Sequence, residues 1–481
     1  MNFIEMTVSS AHEAMQKGSF AAKDLVAFYL DRIERLDDIL HSVILVNPKA
    51  LEEAEKLDQY LEEKGAFIGP LHGIPVILKD NVDTKDMQTT AGSKSLEGYV
   101  PEKDAFLAKK LRDAGAIILA KANLHEFAIW GETISSMRGQ SVNPYDLTRT
   151  PGGSSGGTGA AIAANIGVIG IGTDTINSIR SPASACSLAG IRPTIGLVSR
   201  GGVVPYSLTQ DTAGPICRTV EDCARTLDVI QGYDREDDET AWSVNRVPDS
   251  YLPSLKKDGM QGKRIGVLSS FFGKERVNES VNRVMEDAKR VFEAGGATLI
   301  PIDDPIDSDW MIREVSVHLD DFRTHLDGYL EKLPPDAPVH SVEEVVASGK
   351  FHPGIKDNLM TAMSLDVGTA HYNEKRLRQE AMKTHIMQIM ADHQLDAIIY
   401  PHQQQLVCKI GDSQKQRNGV LCSATGFPSI AVPAGFVEDK NAPVGVPVGL
   451  EIIGRPFSEP TLLEIAYGFE QASCVRKPPE I

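Results

Sequence analysis

The segment with the most unusual residue usage is TPGGSSGGTGAAIAANIGVIGIGTDTINSIRSPASACSLAG, residues 150 to 190. Its six-residue run from Gly152 to Gly157 contains only Gly and Ser and leads into an Ala-rich stretch. Three chemistries fit such a run. A flexible linker is one, but linkers do not run straight into a helix and a buried strand. A phosphate cradle at a helix N-terminus is the second. Against it, no Lys follows the final Gly, and the spacing is neither the P-loop nor GxGxxG. A catalytic loop is the third and favoured reading. Its serines would need a base, since a serine hydroxyl is a poor nucleophile until it loses its proton.

The flanks narrow the choice. GGSSGG is followed 24 residues on by a serine within DTINSIRSP. LHGIPVILKDN surrounds Lys79, and AGAIILAKANLHEFA, GIRPTIGLVSR, GFPSIAVPAGF and PVGLEIIGRPF follow in that order, from about residue 70 to 465. Taken together these marks resemble the amidase signature family. The resemblance implies an α/β fold with a central mixed β-sheet flanked by helices on both faces. It also implies hydrolysis of carboxamides through an acyl-enzyme, with no metal and no cofactor. Residue by residue, it makes Ser178 the nucleophile, Ser154 a bridging serine after a cis peptide bond, and Lys79 the base. A lysine serves as base only when neutral, and burial among apolar neighbours such as IPVIL lowers its pKa. Ser155 is expected to orient Lys79. Asp174 and Arg180 are expected to pair and hold the loop without acting as acid or base.

Each assignment has a plainer counterpart. Lys79 could be a surface lysine at a strand end, Ser154 and Ser155 turn residues, and Ser178 the cap of a helix beginning at Ile179. All three positions matching one family at once favours the catalytic roles. His72, His125, His352, His371 and His402 could in principle serve a Ser-His-Asp site, but INSIR around Ser178 is no GxSxG elbow.

The chain departs from the family where small residues usually precede the nucleophile and Ile176 and Asn177 stand instead. Backbone N–H groups of Thr175, Ile176, Asn177 and Ser178 are expected to form the oxyanion hole. Asn177 is predicted to take the left-handed region in place of a glycine. Ile176, being β-branched, is predicted to keep negative φ and to narrow the acyl pocket. Trp130 and Ile134 fit that pocket and fit the core equally. The glutamine-hydrolysing A subunit of glutamyl-tRNA amidotransferase, which works within a complex, is similar in length and motif order. There an acidic residue receives the substrate ammonium; here DSQKQRNGVLCSATGFP offers Gln416, Arg417 and Asn418, with Asp412 farther upstream. A free-standing amidase acting on small aryl or alkyl amides is therefore preferred, and the alternative is the subunit of a tRNA-dependent amidotransferase complex.

The elements that would position these residues follow from hydrophobic period. The first 65 or so residues read as helices, with Ser10 and Glu13 as a capping box, Ser19 capping the longer helix, and Gly65 ending the third. A core from about 66 to 230 alternates strands and helices. The pattern repeats after 264, turns helical from about 308 to 395, where a cap over one end of the sheet is expected, and ends in late strands. One domain over 1–481 accommodates all of this. The formal charge of −17 disfavours nucleic acid and anionic membranes as partners. A small amide is the expected partner, a homodimer being compatible. Six scattered cysteines without CxxC spacing read as reduced core residues, and no signal-peptide pattern opens the chain. From both, a cytoplasmic location is expected.

Overall fold

Residues 3–481 are described by a computed structural model. Its N-terminal helices span Val8–Gln16, Ala22–Leu40 and Ala50–Lys64. Two caps differ from the prediction. The first capping box begins three residues early: Thr7 is the N-cap, Ser10 N donates to Thr7 Oγ1 at 3.1 Å, and Thr7 N donates to Ser10 Oγ at 2.9 Å. Ser19 does not cap the second helix. Asp24 accepts from Ala21 N at 2.9 Å, and Asp58, from the third helix, accepts from Ala22 N at 2.7 Å and Lys23 N at 3.0 Å. Free helix donors are thus met by tertiary contact, which local sequence does not display. Gly65 ends the third helix in the left-handed region as read.

The strands are β1 Val43–Val46, β2 Pro75–Lys79, β3 Ile117–Ala122, β4 Ile134–Ser135, β5 Gly139–Gln140, β6 Ile169–Asp174 and β7 Ala189–Arg192. They continue with β8 Thr212–Cys217, β9 Arg264–Leu268, β10 Thr298–Ile302, β11 Ala397–Pro401, β12 Ser429–Asp439 and β13 Ala442–Ile453. β4 and β5 form a hairpin of their own, and the other eleven make one sheet in the order β1-β3-β2-β6-β8-β7-β12-β13-β11-β9-β10. Pairing is parallel through β3-β2-β6 and β11-β9-β10 and antiparallel elsewhere, so the sheet is mixed and flanked by helices. β2 and β6 are buried at every residue, as the apolar runs PVIL and IGIG require of central parallel strands.

Two strand ends and one helix start converge. β2 pairs with β6 through Leu78 and Ile171, so Lys79 leaves the sheet beside the end of β6. The Gly-Ser run feeds the helix Gly156–Ala163, which is wholly buried. A Cβ on Gly157 would lie 2.2 Å from the Asn123 carbonyl oxygen and 2.6 Å from that of Ser42. Glycine inside a helix costs about 1 kcal/mol, and here it lets the helix touch the backbone of its neighbours.

The segment expected to be helical between 308 and 395 divides into Ser308–Glu314, His318–Leu330, Val342–Ser348, Lys356–Met363 and Ala370–Asp392. Phe322, Leu326, Leu330, Val342 and Leu359 form an apolar cluster with Phe127, Ile129 and Tyr206, so these helices are docked over residues next to the Gly-Ser loop. No helix among the described residues is long and apolar enough to cross a membrane. The six cysteines are unpaired.

Candidate active site

Lys79 is fully buried, and its Nζ donates to Ser154 Oγ and to Thr173 Oγ1, each at 2.8 Å. No carboxylate pairs with it among the described residues. Burial pushes the amine down to about 7; the more distant Asp174 and Asp211 oppose the shift without cancelling it. The Gly153–Ser154 peptide is cis. Ser154 is fixed through its carbonyl, which accepts from His125 N at 3.0 Å.

Ser155 does not touch Lys79 and stands one residue behind it. Its hydroxyl donates to the Thr173 carbonyl at 3.2 Å and accepts from Thr173 N at 3.3 Å. Ser155 therefore pins the strand residue whose hydroxyl meets Lys79. Thr173 escapes sequence reading; its only signal is a hydroxyl residue closing the apolar run IGIG.

Beyond β6 the chain carries Thr175 to Ser178 past the same place. The carbonyls of this stretch are all engaged. Arg192 Nη1 donates to the Asp174 carbonyl at 2.5 Å, Gln210 Nε2 to Thr175 at 3.2 Å, and Arg180 Nη2 to Ile176 at 2.7 Å. Asn177 O accepts from Ser181 N at 2.7 Å and Ser178 O from Ser155 N at 3.2 Å. The N–H groups of Ile176, Asn177 and Ser178 meet no acceptor among the described residues. Three donors with their carbonyls held elsewhere are what an oxyanion requires. The Ser178 hydroxyl also has no hydrogen-bond partner among the described residues and lines a cavity of about 300 Å³.

Ile176 keeps negative φ, but so does Asn177, so the predicted left-handed residue is absent. The turn is right-handed because Asn177 already begins the helical hydrogen bonding through Ser181. Room for its side chain comes from Gly419 across the contact, where an added Cβ would lie 2.5 Å from Asn177 Cβ. Ser178 is not a helix cap; the helix Arg180–Ala185 has Ile179 at its N-cap without a side-chain bond.

Behind the turn lies a buried charge network. Arg180 donates to Asp174 through Nε at 3.1 Å and Nη2 at 3.0 Å, and Nη2 also reaches the Gly419 carbonyl at 3.0 Å. Its Nη1 bonds Glu451. Glu451 meets His402 Nδ1 at 2.7 Å and Tyr400 Oη at 3.2 Å. Burial works against both carboxylates, yet Arg180 and Arg192 hold Asp174 well below the ordinary range. Arg180, with the bond from His402, holds Glu451 at about 2. Asp174 and Arg180 are paired, and Arg192, Glu451 and Gly419 complete a set that no local motif shows.

Trp130 and Ile176 line the cavity with Ile129, Tyr206, Leu319 and Arg417. Ile134 does not; it sits in the β4–β5 hairpin, paired with Gln140. Trp130 Nε1 donates to Asn358 Oδ1 at 2.8 Å across to the helical segment. No histidine among the described residues bonds Ser178. Burial and then the charges of His352, Lys79 and Arg417 push His125 down to about 3, so it is neutral near pH 7. Among the described residues no group of three or more His, Cys, Asp or Glu could hold a metal ion.

Known proteins match the chain over nearly its whole length. The model of the family described as Amidase matches residues 24–463. A probable amidase of Arabidopsis thaliana is 36% identical, over 99% of this chain and 91% of that protein. The A subunit of the glutamyl-tRNA(Gln) amidotransferase of Clostridium botulinum is 34% identical, over 98% of each chain. The crystal structure of native peptide amidase from Stenotrophomonas maltophilia superposes with a TM-score of 0.91 at 35% identity, over 99% of both chains.

Proposed function

The chain belongs to the amidase signature family, and from that premise we propose that it is a free-standing amidase cleaving small carboxamides to a carboxylate and ammonia or an amine. The observation that carries the reading is a buried Lys79 with its pKa near 7, hydrogen-bonded to Ser154 and without a counter-ion. Once the amine is neutral, the Ser154 hydroxyl turns its proton onto the Nζ lone pair while Thr173 continues to accept from Nζ. Ser154 then takes the proton of Ser178 as the Ser178 oxygen attacks the carboxamide carbon. The developing oxyanion is met by the N–H groups of Thr175, Ile176, Asn177 and Ser178. Collapse expels the amine, which takes its proton back along the same relay. Water, deprotonated in turn by that relay, releases the acid. Asp174 and Arg180 stay charged throughout and hold the loop. Ile176 and Trp130 bound the acyl group. The whole chain acts as one domain, in the reducing interior of the cell.

The second reading, a glutamine-hydrolysing component of a tRNA-dependent complex, is favoured by the Clostridium botulinum relative. It is weakened by Gln416, Arg417 and Asn418 where a carboxylate would receive the ammonium of glutamine. A screen of simple amides, anilides, esters and glutamine with the isolated protein separates the two. Amide turnover without partners, lost in Ser178→Ala together with acyl transfer to hydroxylamine, is the expected result. Acyl transfer persisting in Ser178→Ala at the parental rate would remove Ser178 as nucleophile.

A further inference from the structure

A guanidinium with no counter-charge stands in the wall of the cavity that holds Ser178. Arg417 lines that cavity and makes neither ion pair nor hydrogen bond among the described residues. Its guanidinium carbon lies 5.6 Å over the centre of the Trp130 ring, a contact that occupies the cation's face and leaves its N–H edges free. Its charge reaches inside. After burial and Lys375, it helps push His318 down to about 3, as it does His125. Two other cations line the same cavity. Lys375 is neutralised by Asp320 at 2.9 Å, whereas Arg313, exposed at the rim, has no ion pair among the described residues. No Asp or Glu lines this cavity. Glu275 and Asp309 lie in the neighbouring surface depression that Arg417 also borders, and neither pairs with it.

We propose that Arg417 is the subsite for a carboxylate carried by the substrate, so that the preferred substrates are monoamides of short dicarboxylic acids. The proposal rests on the amidase reading and specifies its substrate class. Five fixed N–H donors match a carboxylate edge, and the apolar wall of Ile129, Ile176 and Leu319 suits the intervening methylenes. Arg417 also stands close to the Gly-Ser loop. A Cβ added to Gly131 would sit 3.5 Å from Arg417 Nη1 and 3.8 Å from the Gly153 carbonyl oxygen. The guanidinium is thus one side chain's width from the loop that carries Ser154. An ammonium on the same substrate would find no anion here, so glutamine is disfavoured relative to its deaminated form.

The test is calorimetric binding of glutaramate, valeramide and glutamine to the Ser178→Ala protein, with hydrolysis by the parent measured in parallel. Glutaramate should bind roughly 10- to 100-fold more tightly than valeramide, which has a methyl group in place of the carboxylate, the range of a charge-assisted hydrogen bond, and more tightly than glutamine. Adding Arg417→Gln should bring the glutaramate-to-valeramide ratio towards one, while Arg417→Lys should keep part of it. Should Arg417→Gln fail to fold, a salt titration of the Ser178→Ala protein replaces it, with glutaramate affinity falling and valeramide affinity unchanged. No glutaramate binding, a ratio near one, a ratio that survives Arg417→Gln, or a ratio indifferent to salt would overturn the subsite. Parent protein that binds glutaramate through Arg417 yet hydrolyses no amide would overturn the amidase reading instead.

Discussion

Two lysines on adjacent strands meet opposite fates. Lys79 ends β2 and Lys121 lies in β3, where it pairs with Leu78, so the two side chains leave opposite faces of the sheet. Both are fully buried. Lys121 Nζ donates to the carbonyls of Val82 at 2.7 Å and Gln88 at 3.2 Å and to Thr89 Oγ1 at 2.9 Å, with Asp80 at 3.4 Å. Burial lowers its pKa, but Asp80 works against the shift, and Lys121 in turn opposes the rise that burial imposes on Asp80. Lys79 has two hydroxyls and no carboxylate in contact. Burial alone therefore does not make a base. What separates Lys121 from Lys79 is whether the fold supplies a counter-charge.

The largest difference should appear when each lysine is replaced by methionine. Lys79→Met should lose amide hydrolysis by about three orders of magnitude or more, the upper range for general-base removal, yet be at least as stable as the parent in urea at pH 7, where the parent carries the cost of the depressed amine. Lys121→Met leaves Asp80 buried and unpaired and should cost about 3–5 kcal/mol of stability. Equal destabilisation by both substitutions would break the distinction.

A pH series sharpens it. The native amine of Lys79 loses its proton near pH 7, so kcat/KM should rise about tenfold per pH unit below that value and level off above it. Stability carries the same signature. Between about 7 and 10.5 the unfolded chain binds a proton that the native one lacks. Native stability attributable to Lys79 therefore rises with pH across that window, by up to about 1.4 kcal/mol per unit. Subtracting the urea data of Lys79→Met from those of the parent isolates this slope, and a flat difference would mean the amine is not depressed.

Smaller effects come from the hydroxyls. Thr173→Val removes an acceptor that favours the ammonium, so the activity midpoint should move to lower pH while the plateau falls about tenfold, the low end for a misplaced base. Ser155→Ala touches Thr173 only through its backbone. A few-fold loss with the midpoint in place is expected, and a shift as large as that of Thr173→Val would show that Ser155 acts on Lys79 directly.

These contrasts also mark how far the sequence speaks. GGSSGG, Ser178 and the apolar run before Lys79 are consecutive or regularly spaced, so they are visible in one dimension, as are the strands β2, β3 and β6 and the left-handed Gly65. Thr173, Arg192, Gly419 and Glu451 matter through contacts made only after folding. Asn177 departs from its predicted conformation for the same reason: the space it uses is vacated by Gly419, more than two hundred positions away. The first cap falls at Thr7 and not at Ser10 because two hydroxyl residues offer equivalent local signals. Ile134 is one residue in a plausible loop, and its hairpin partner Gln140 settles its position.

Arg180 has a consequence for the chain as a heritable object. Its guanidinium joins the turn before Ser178 to Gly419 and, through Glu451, to the last strand of the chain. The turn before Ser178 thus takes its shape from residues more than two hundred positions farther along the chain. A fragment ending before β13 would keep every residue of the Lys79–Ser154–Ser178 set and lose the clamp that shapes it. Recombination between relatives should therefore succeed only when residues 174–180 and the segment carrying Gly419 and Glu451 come from the same parent.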